Sequence, residues 1–251
     1  MSASGLQDSG PDGGKNLSAE ALLIEGVWKY YGEYPALRDI SLKIPAGACV
    51  ALIGRNGAGK TTLLKILAGL STPSKGRVLV NGQDVRAEAT RATIGVLGHG
   101  IGVYDELSAI ENLRLFADLY GVSNPEATAL HWLERTGLAR VKDGLVREFS
   151  RGMRQRLAVA RAFLHDPKVL LFDEPFTSLD DRAIAVLQTL LNDAAAAGRT
   201  IIMSTHQIRE AMELATHVAL IGRGQLIFSG ARTMQMLEDP GWLYRTYGDS
   251  A

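Results

Sequence analysis

The sequence predicts an α/β fold: a parallel-sheet core carrying a phosphate-binding loop, an antiparallel β region ahead of it and a helical insert within it. Three observations point there. Strand-like and helix-like stretches alternate along the 251 residues, short apolar runs such as "ACVALIG" and "KVLLF" have the make-up of strands buried on both faces, and the stretch from about Ser108 to Leu164 is mostly helical.

In chain order, "ALLIEGVWKYYG" and "ALRDISLKI" are strands of an opening antiparallel region, and "GACVALIG" is a short buried strand ending in glycine. "GKTTLLKILAGL" has apolar residues at helical spacing with a glycine near its end, a helix stop signal. "GRVLVNGQDV" reads as a hairpin turning at Asn81-Gly82. The insert supplies three helices, "AIENLRLFADLYG", "PEATALHWLERTG" and "RQRLAVARAFLHD". Then come the strand "KVLLFDEP", the alanine-rich helix "RAIAVLQTLLNDAAAAG", the strand "TIIMST" and a last strand pair, "HVALIGRGQLIFSG". There is no internal repeat.

Composition narrows the function classes. Lys plus Arg and Asp plus Glu both count 27, so no net charge draws the chain to nucleic acid or to an anionic membrane. The one cysteine, Cys49, excludes an intrachain disulfide, and its apolar setting predicts a buried, inert thiol. No segment approaches the run of about 18 apolar residues that crosses a bilayer. The opening "MSASGLQDSGPDGGKNLSAE" lacks the basic start and apolar stretch of a signal peptide, and its Gly, Ser and Asp content predicts a disordered leader. A cytoplasmic protein is expected, recruited to any membrane by a partner.

The strongest chemical signal is "GRNGAGKTT", Gly54 to Thr62, which fits the phosphate-loop pattern between a buried strand and a helix. Backbone N–H groups of Gly54, Asn56, Gly57, Ala58 and Gly59 are expected to curl around a β-phosphate, and the following helix N-terminus favours the negative charge. Lys60 would reach the β and γ oxygens, Thr61 would place its hydroxyl on Mg²⁺, and Thr62 would hold the α-phosphate. This pattern predicts a nucleoside triphosphate site.

A matching acidic site closes the apolar strand "KVLLFDEP". Asp173 offers the oxygen ligand that a hard cation prefers, and Glu174, one residue on, can take a proton from the attacking water as general base.

Just before that strand lies "FSRGMRQRLAVARAFLHDP", Phe149 to Pro167. It resembles the signature motif of ATP-binding cassette (ABC) ATPases, with Ser150, Arg151, Gly152 and Met153 standing where that family has serine-glycine-glycine-glutamine. Ser150 can cap the next helix, and Ser150 and Gly152 keep the small, phosphate-accessible character of the motif. "TSLD", Thr177 to Asp180, is similar to the family's D-loop, and "STH", Ser204 to His206, to its switch loop. The resemblance implies a catalytic role for His206 and nucleotide contacts for Ser150, Gly152 and Asp180. It also implies an aromatic ring on the adenine, with Tyr31 in that place and Tyr30 as the neighbouring alternative.

The resemblance spans about residues 21–230. It implies a RecA-like core, an antiparallel β subdomain and a helical subdomain at about 100–165, with a leader over 1–20 and a C-terminal tail over 231–251. It further implies ATP and Mg²⁺ as cofactors, a second ATPase subunit facing the first head to tail, and a transmembrane permease subunit on the inner face of the cell membrane.

His99 stands after Leu97-Gly98, where most ABC ATPases carry the Q-loop glutamine, and Leu107, Ser108, Glu111, Asn112 and Leu113 match the family run that follows. The position implies a residue acting on the Mg²⁺ or water region and linking it to the membrane partner. A histidine there resembles the ATPase subunit of the cytochrome c maturation haem exporter, and "ENLRLFADLYGV" is similar to it too. Exporters of lipids, glycans or drugs share nearly every other feature. A soluble ABC ATPase of cluster assembly, translation or repair is the alternative from another class, although the chain lacks the paired cassettes or long coiled coils of the latter two.

Overall fold

The computed structural model describes residues 20–98, 102–177, 179–239 and 241–247. The leader and His99 lie outside the described residues. The chain enters through two long antiparallel strands, β1 (Glu20–Tyr31) and β2 (Tyr34–Pro45), whose inner residues Leu22, Ile24, Val27, Leu37, Ile40 and Ile44 are buried. β3 (Cys49–Ile53) is buried along its whole length and leads into α1 (Lys60–Leu67), which turns Leu63, Leu64, Ile66 and Leu67 inward. β4 (Lys75–Val80) and β5 (Gln83–Asp84) form the expected hairpin. Asn81 and Gly82 both take positive φ, 48° and 77°, as a turn matched to strand twist requires.

After a short helix, α2 (Glu88–Arg91), β6 (Ile94–Leu97) joins the core and the insert begins. Its helices are α3 (Ala109–Leu119), α4 (Pro125–Arg135) and α5 (Arg151–Phe163). Each starts on a side-chain cap: Ser108 and Glu111 form a capping box on α3, Asn124 precedes Pro125 on α4, and the Ser150 hydroxyl accepts from Met153 N on α5. Asn112, fully buried, binds the segment leading into α3: its Oδ1 accepts from Tyr104 N at 2.7 Å, and its Nδ2 donates to the carbonyls of Tyr104 and Ser108, both at 2.9 Å.

The chain then returns to the core through β7 (Val169–Asp173), α6 (Asp181–Ala196), β8 (Thr200–Ser204), α7 (Ile208–Leu214), β9 (His217–Gly222) and β10 (Gln225–Ala231). Two helices follow, α8 (Met234–Glu238) and α9 (Trp242–Tyr247). The stretch expected as a tail therefore packs, with Met236 and Leu243 buried.

The antiparallel sheet has the order β2-β1-β4-β5, and the core sheet β10-β9-β3-β8-β7-β6. All neighbours in the core sheet run parallel except β9 and β10. The carboxyl ends of β3, β8 and β7 consequently lie side by side, the edge where open α/β sheets bind ligands. One apolar cluster joins the antiparallel sheet, α1 and one face of the core; a second packs α5, α6 and α7 on the other face; a third is internal to the insert. Phe172 and Phe176, which bracket the acidic pair, are both completely buried in the second cluster, and each such ring contributes roughly 1.5–3 kcal/mol by leaving water. The acidic pair thus sits on a rigid support.

Candidate functional site

The phosphate loop takes its shape from its neighbours. A Cβ on Gly54 would stand 2.4 Å from the Ile221 carbonyl oxygen, and one on Gly59 2.7 Å from Leu37 Cδ2. Gly59 also has φ 107°, a left-handed conformation suited to glycine. No side chain caps α1 at this end, so its first N–H groups point toward whatever binds there. Lys60 is buried, and its Nζ donates to the carbonyls of Gly54 at 2.8 Å and Arg55 at 3.3 Å. Burial pushes its ammonium below the usual lysine range, and the carboxylates of Glu174 and Asp173 oppose that shift.

At the end of β7 the two carboxylates part company. Asp173 is aligned with Ser204 of β8, and the Ser204 hydroxyl donates to its Oδ1. Glu174 has φ 54°, a left-handed conformation that costs a non-glycine residue about 1–3 kcal/mol. Its N–H donates to the Ser204 carbonyl at 3.0 Å and to the Ser204 hydroxyl at 3.2 Å, which offsets the strain. The turn carries the Glu174 side chain across to His206. Glu174 Oε2 accepts from His206 N at 3.1 Å and from His206 Nδ1 at 2.7 Å.

These groups line one cavity of about 710 Å³. It brings together the predicted residues Tyr31, Asn56, Gly57, Ala58, Gly59, Lys60, Thr61, Thr62, Asp173, Glu174 and His206. Tyr31 is half exposed in its wall, whereas Tyr30 stacks on Trp28 with ring centroids 5.9 Å apart. Of the two tyrosines, the structure brings Tyr31 to the cavity. Gly54 lies behind the wall, bonded to Lys60. Ser150, Gly152 and Asp180 do not line the cavity of their own chain. Ser150 caps α5, and the Asp180 carboxylate caps α6 by accepting from Ala183 N at 2.8 Å. Tyr34, Ala36, Gly98, Arg151, Gln155 and Thr177 line the cavity without having been expected there, so of the signature residues 150–153 only Arg151 reaches the cavity of its own chain. Gln155 lies one turn beyond Arg151 on α5, and helical spacing from the signature motif was the signal that could have found it.

Asp173 Oδ2 is buried and has no hydrogen-bond partner. A buried, unpaired carboxylate oxygen facing a wall that also holds Thr61 suits a hard divalent cation. Among the described residues no group of three His, Cys, Asp or Glu side chains could hold a metal by itself. The donor set fits an ion that takes its remaining oxygens from phosphates and water, as Mg²⁺ does.

A family model described as "ABC transporter" matches residues 37–177. Over 201 residues the chain is 39% identical to the ABC transporter ATP-binding protein NatA of Bacillus subtilis (strain 168), covering 78% of this chain and 82% of that protein. The chain belongs to the ABC transporter family. It is an ATP-binding subunit and an ATPase of ABC type, and its fold is that of the family's nucleotide-binding domain. It is also 38% identical over 213 residues to the Nod factor export ATP-binding protein I of Cupriavidus metallidurans (strain ATCC 43123 / DSM 2839 / NBRC 102507 / CH34), covering 83% of this chain and 70% of that protein. Among solved structures, it is similar to the dimeric post-hydrolysis state of an ATP-binding cassette bound to ADP and Pi, with a TM-score of 0.76, 25% identity and coverage of 84% of this chain and 99% of that one. Among the described residues no helix is long and apolar enough to cross a membrane.

Proposed function

We propose that two copies of this ABC ATPase close head to tail around two ATP molecules and drive an export permease in the membrane. The observation that carries this is the division of the expected ATP contacts. Lys60, Asp173, Glu174 and His206 share one cavity, whereas Ser150 and Gly152 of the same chain lie outside it. A second chain would supply the missing pair, and the similarity to a dimeric cassette supports the same arrangement.

In this mechanism the loop N–H groups and Lys60 hold the β and γ phosphates, Thr62 the α-phosphate, and Tyr31 the adenine. Thr61 and Asp173 would hold Mg²⁺, which neutralises phosphate charge when bound. His206 orients the Glu174 carboxylate, which takes the proton of the attacking water as its oxygen bonds to the γ-phosphorus and ADP departs. Ser150 and Gly152 of the facing copy, with Asp180 at the seam, complete the enclosure. In the sequence His99 stands where the family carries its Q-loop glutamine, and the role proposed for it is to link this chemistry to the permease. The subunit works on the cytoplasmic face of the membrane, with the unit 21–230 as the cassette and the helical insert at about 100–165 toward its partner.

Two cargo readings have support. Haem export for cytochrome c maturation is supported by Leu97-Gly98-His99 and the run "ENLRLFADLYGV". Export of another small molecule is favoured by the relative named for Nod factor export. For the dimer, a Glu174→Gln chain with ATP should elute at twice the monomer mass on size exclusion, and a persistent monomer refutes the sandwich. For the cargo, deleting the gene should abolish haem attachment to c-type cytochromes; intact cytochromes rule out the haem reading.

A further inference from the structure

The two-residue turn between β9 and β10, Arg223-Gly224, takes no part in the reaction above, yet Gly224 is buried, although the tips of hairpins ordinarily face water. Both residues have positive φ, 48° and 81°, as a tight hairpin turn demands. The burial has a cause: the tip is folded in between the phosphate loop and β2. The Gly224 N–H donates to the carbonyl of Ala58, in the loop, at 3.0 Å, and the Gly224 carbonyl accepts from Arg38 N, in β2, at 2.7 Å. The peptide groups of one residue thus tie the loop of the core sheet to the edge strand of the antiparallel sheet.

The packing around this tie leaves no space for a side chain. A Cβ on Gly224 would stand 2.7 Å from the Ala36 carbonyl oxygen, and one on Gly59 2.8 Å from the same oxygen. The backbones at 36–38, 58–59 and 224 are therefore in close contact. Ala36, Ala58 and Gly59 all line the ATP cavity. From Ala36, β2 runs back to Tyr34, which pairs across the β1–β2 turn with Tyr31, and both tyrosines lie in the same cavity wall. On one side of Gly224 is the loop suited to phosphates; on the other is the strand that leads to the aromatic wall suited to the base.

We propose that Gly224 is a positioning residue of the ATP site, setting the spacing between the phosphate loop and the aromatic wall and with it the preference for a nucleotide over a bare polyphosphate. The two ends of the ligand are held by two different sheets, since the loop follows β3 and the tyrosines belong to β1 and β2. The apolar cluster beneath joins those sheets, but burial of apolar surface is non-directional. Hydrogen bonds to both sides of one residue are directional and fix where one sheet stands against the other. Gly224→Ala sets a methyl group against the Ala36 carbonyl in a conformation that L residues rarely adopt. β2 and the wall must then shift from the loop, which keeps its own glycines and Lys60.

The proposal rests on the reading of this cavity as the ATP site, and not on the dimer or the cargo. The test uses the full chain and titration calorimetry with ADP and inorganic pyrophosphate, which share two phosphates, differ in the base and ribose, and are not turned over. Wild type should bind ADP more tightly than pyrophosphate. Gly224→Ala should weaken ADP about three- to tenfold, the worth of one aromatic stack, and leave pyrophosphate within about twofold. In a Tyr31→Ala background the same substitution should add little, because the two changes act on one contact. A second measurement needs no variant: amide exchange at Gly224 and Arg38 in the wild type should be slowed by ADP more than by pyrophosphate. Equal weakening of both ligands in Gly224→Ala, an unchanged ADP preference, or exchange at these two amides that is the same with either ligand overturns the proposal. A wild type with no preference for ADP refutes the ATP site itself.

Discussion

The Glu174 carboxylate accepts from both the backbone N–H and the imidazole Nδ1 of His206, at 3.1 and 2.7 Å, through the same oxygen, Oε2. Its other oxygen forms neither bond. A carboxylate fixed at one oxygen can present the second to water in a set direction. Glu174→Gln should keep ATP binding and lose roughly 10²- to 10⁴-fold in turnover, because the amide cannot take the proton. His206→Ala removes the orienting imidazole and not the base, so its loss should be smaller, about 10- to 100-fold. Steady-state phosphate release measures both; turnover in Glu174→Gln close to wild type would remove Glu174 from the role.

The proposed head-to-tail dimer makes a prediction that no single chain can satisfy. Ser150→Arg spoils the signature and Lys60→Ala spoils the loop, so each homodimer should be inactive. A mixture forms heterodimers in which the intact loop of one chain meets the intact signature of the other, and ATPase activity should return. A mixture as inactive as its components would mean that each chain works without the other's Ser150.

Asn112 is predicted to matter out of proportion to its size. Four hydrogen bonds tie this buried amide to Tyr104, Leu107 and Ser108. Asn112→Ala leaves a buried N–H and carbonyls unpaired, and should cost about 2–4 kcal/mol in denaturant unfolding. A loss well under 1 kcal/mol would mean that water replaces the amide.

Cys49 supplies a pH test. Burial pushes its thiol up to about 12, from an ordinary value of 9.0. Between those values the unfolded chain ionises and the folded chain does not, so folding stability must fall as pH rises. The wild type should lose about 1.4 kcal/mol per pH unit relative to Cys49→Ala over that window, with no divergence below it. Parallel pH curves for the two proteins would contradict the burial of this thiol.

Much of the site was legible because its signals are local. The phosphate loop is nine consecutive residues whose glycines and lysine have a direct physical purpose, and Asp173-Glu174 closes an all-apolar strand. The hairpin at Asn81-Gly82 was legible for the same reason, since both residues tolerate the positive φ that the turn demands. What escaped depends on tertiary placement. Tyr34 enters the cavity only because the β1–β2 turn brings it alongside the loop. Seven residues of α7 and six of α9 are too few for periodicity to distinguish from a loop. Asp180 shows a different limit: a carboxylate ahead of a helix reads equally well as a ligand or as a cap, and within its own chain it is a cap.

The Lys60 ammonium is already satisfied by two carbonyls of its own loop. A phosphate that takes it must displace these, so the exchange of one oxygen acceptor for another yields less than the full strength of a charged hydrogen bond. The N–H groups at the start of α1 have no side-chain rival to displace. Much of the attraction for a triphosphate is therefore vested in peptide groups, which no side-chain substitution deletes. Sequence drift around this loop can alter how fast the nucleotide is spent while the hold on its phosphates persists, provided the glycines keep the backbone in its curve.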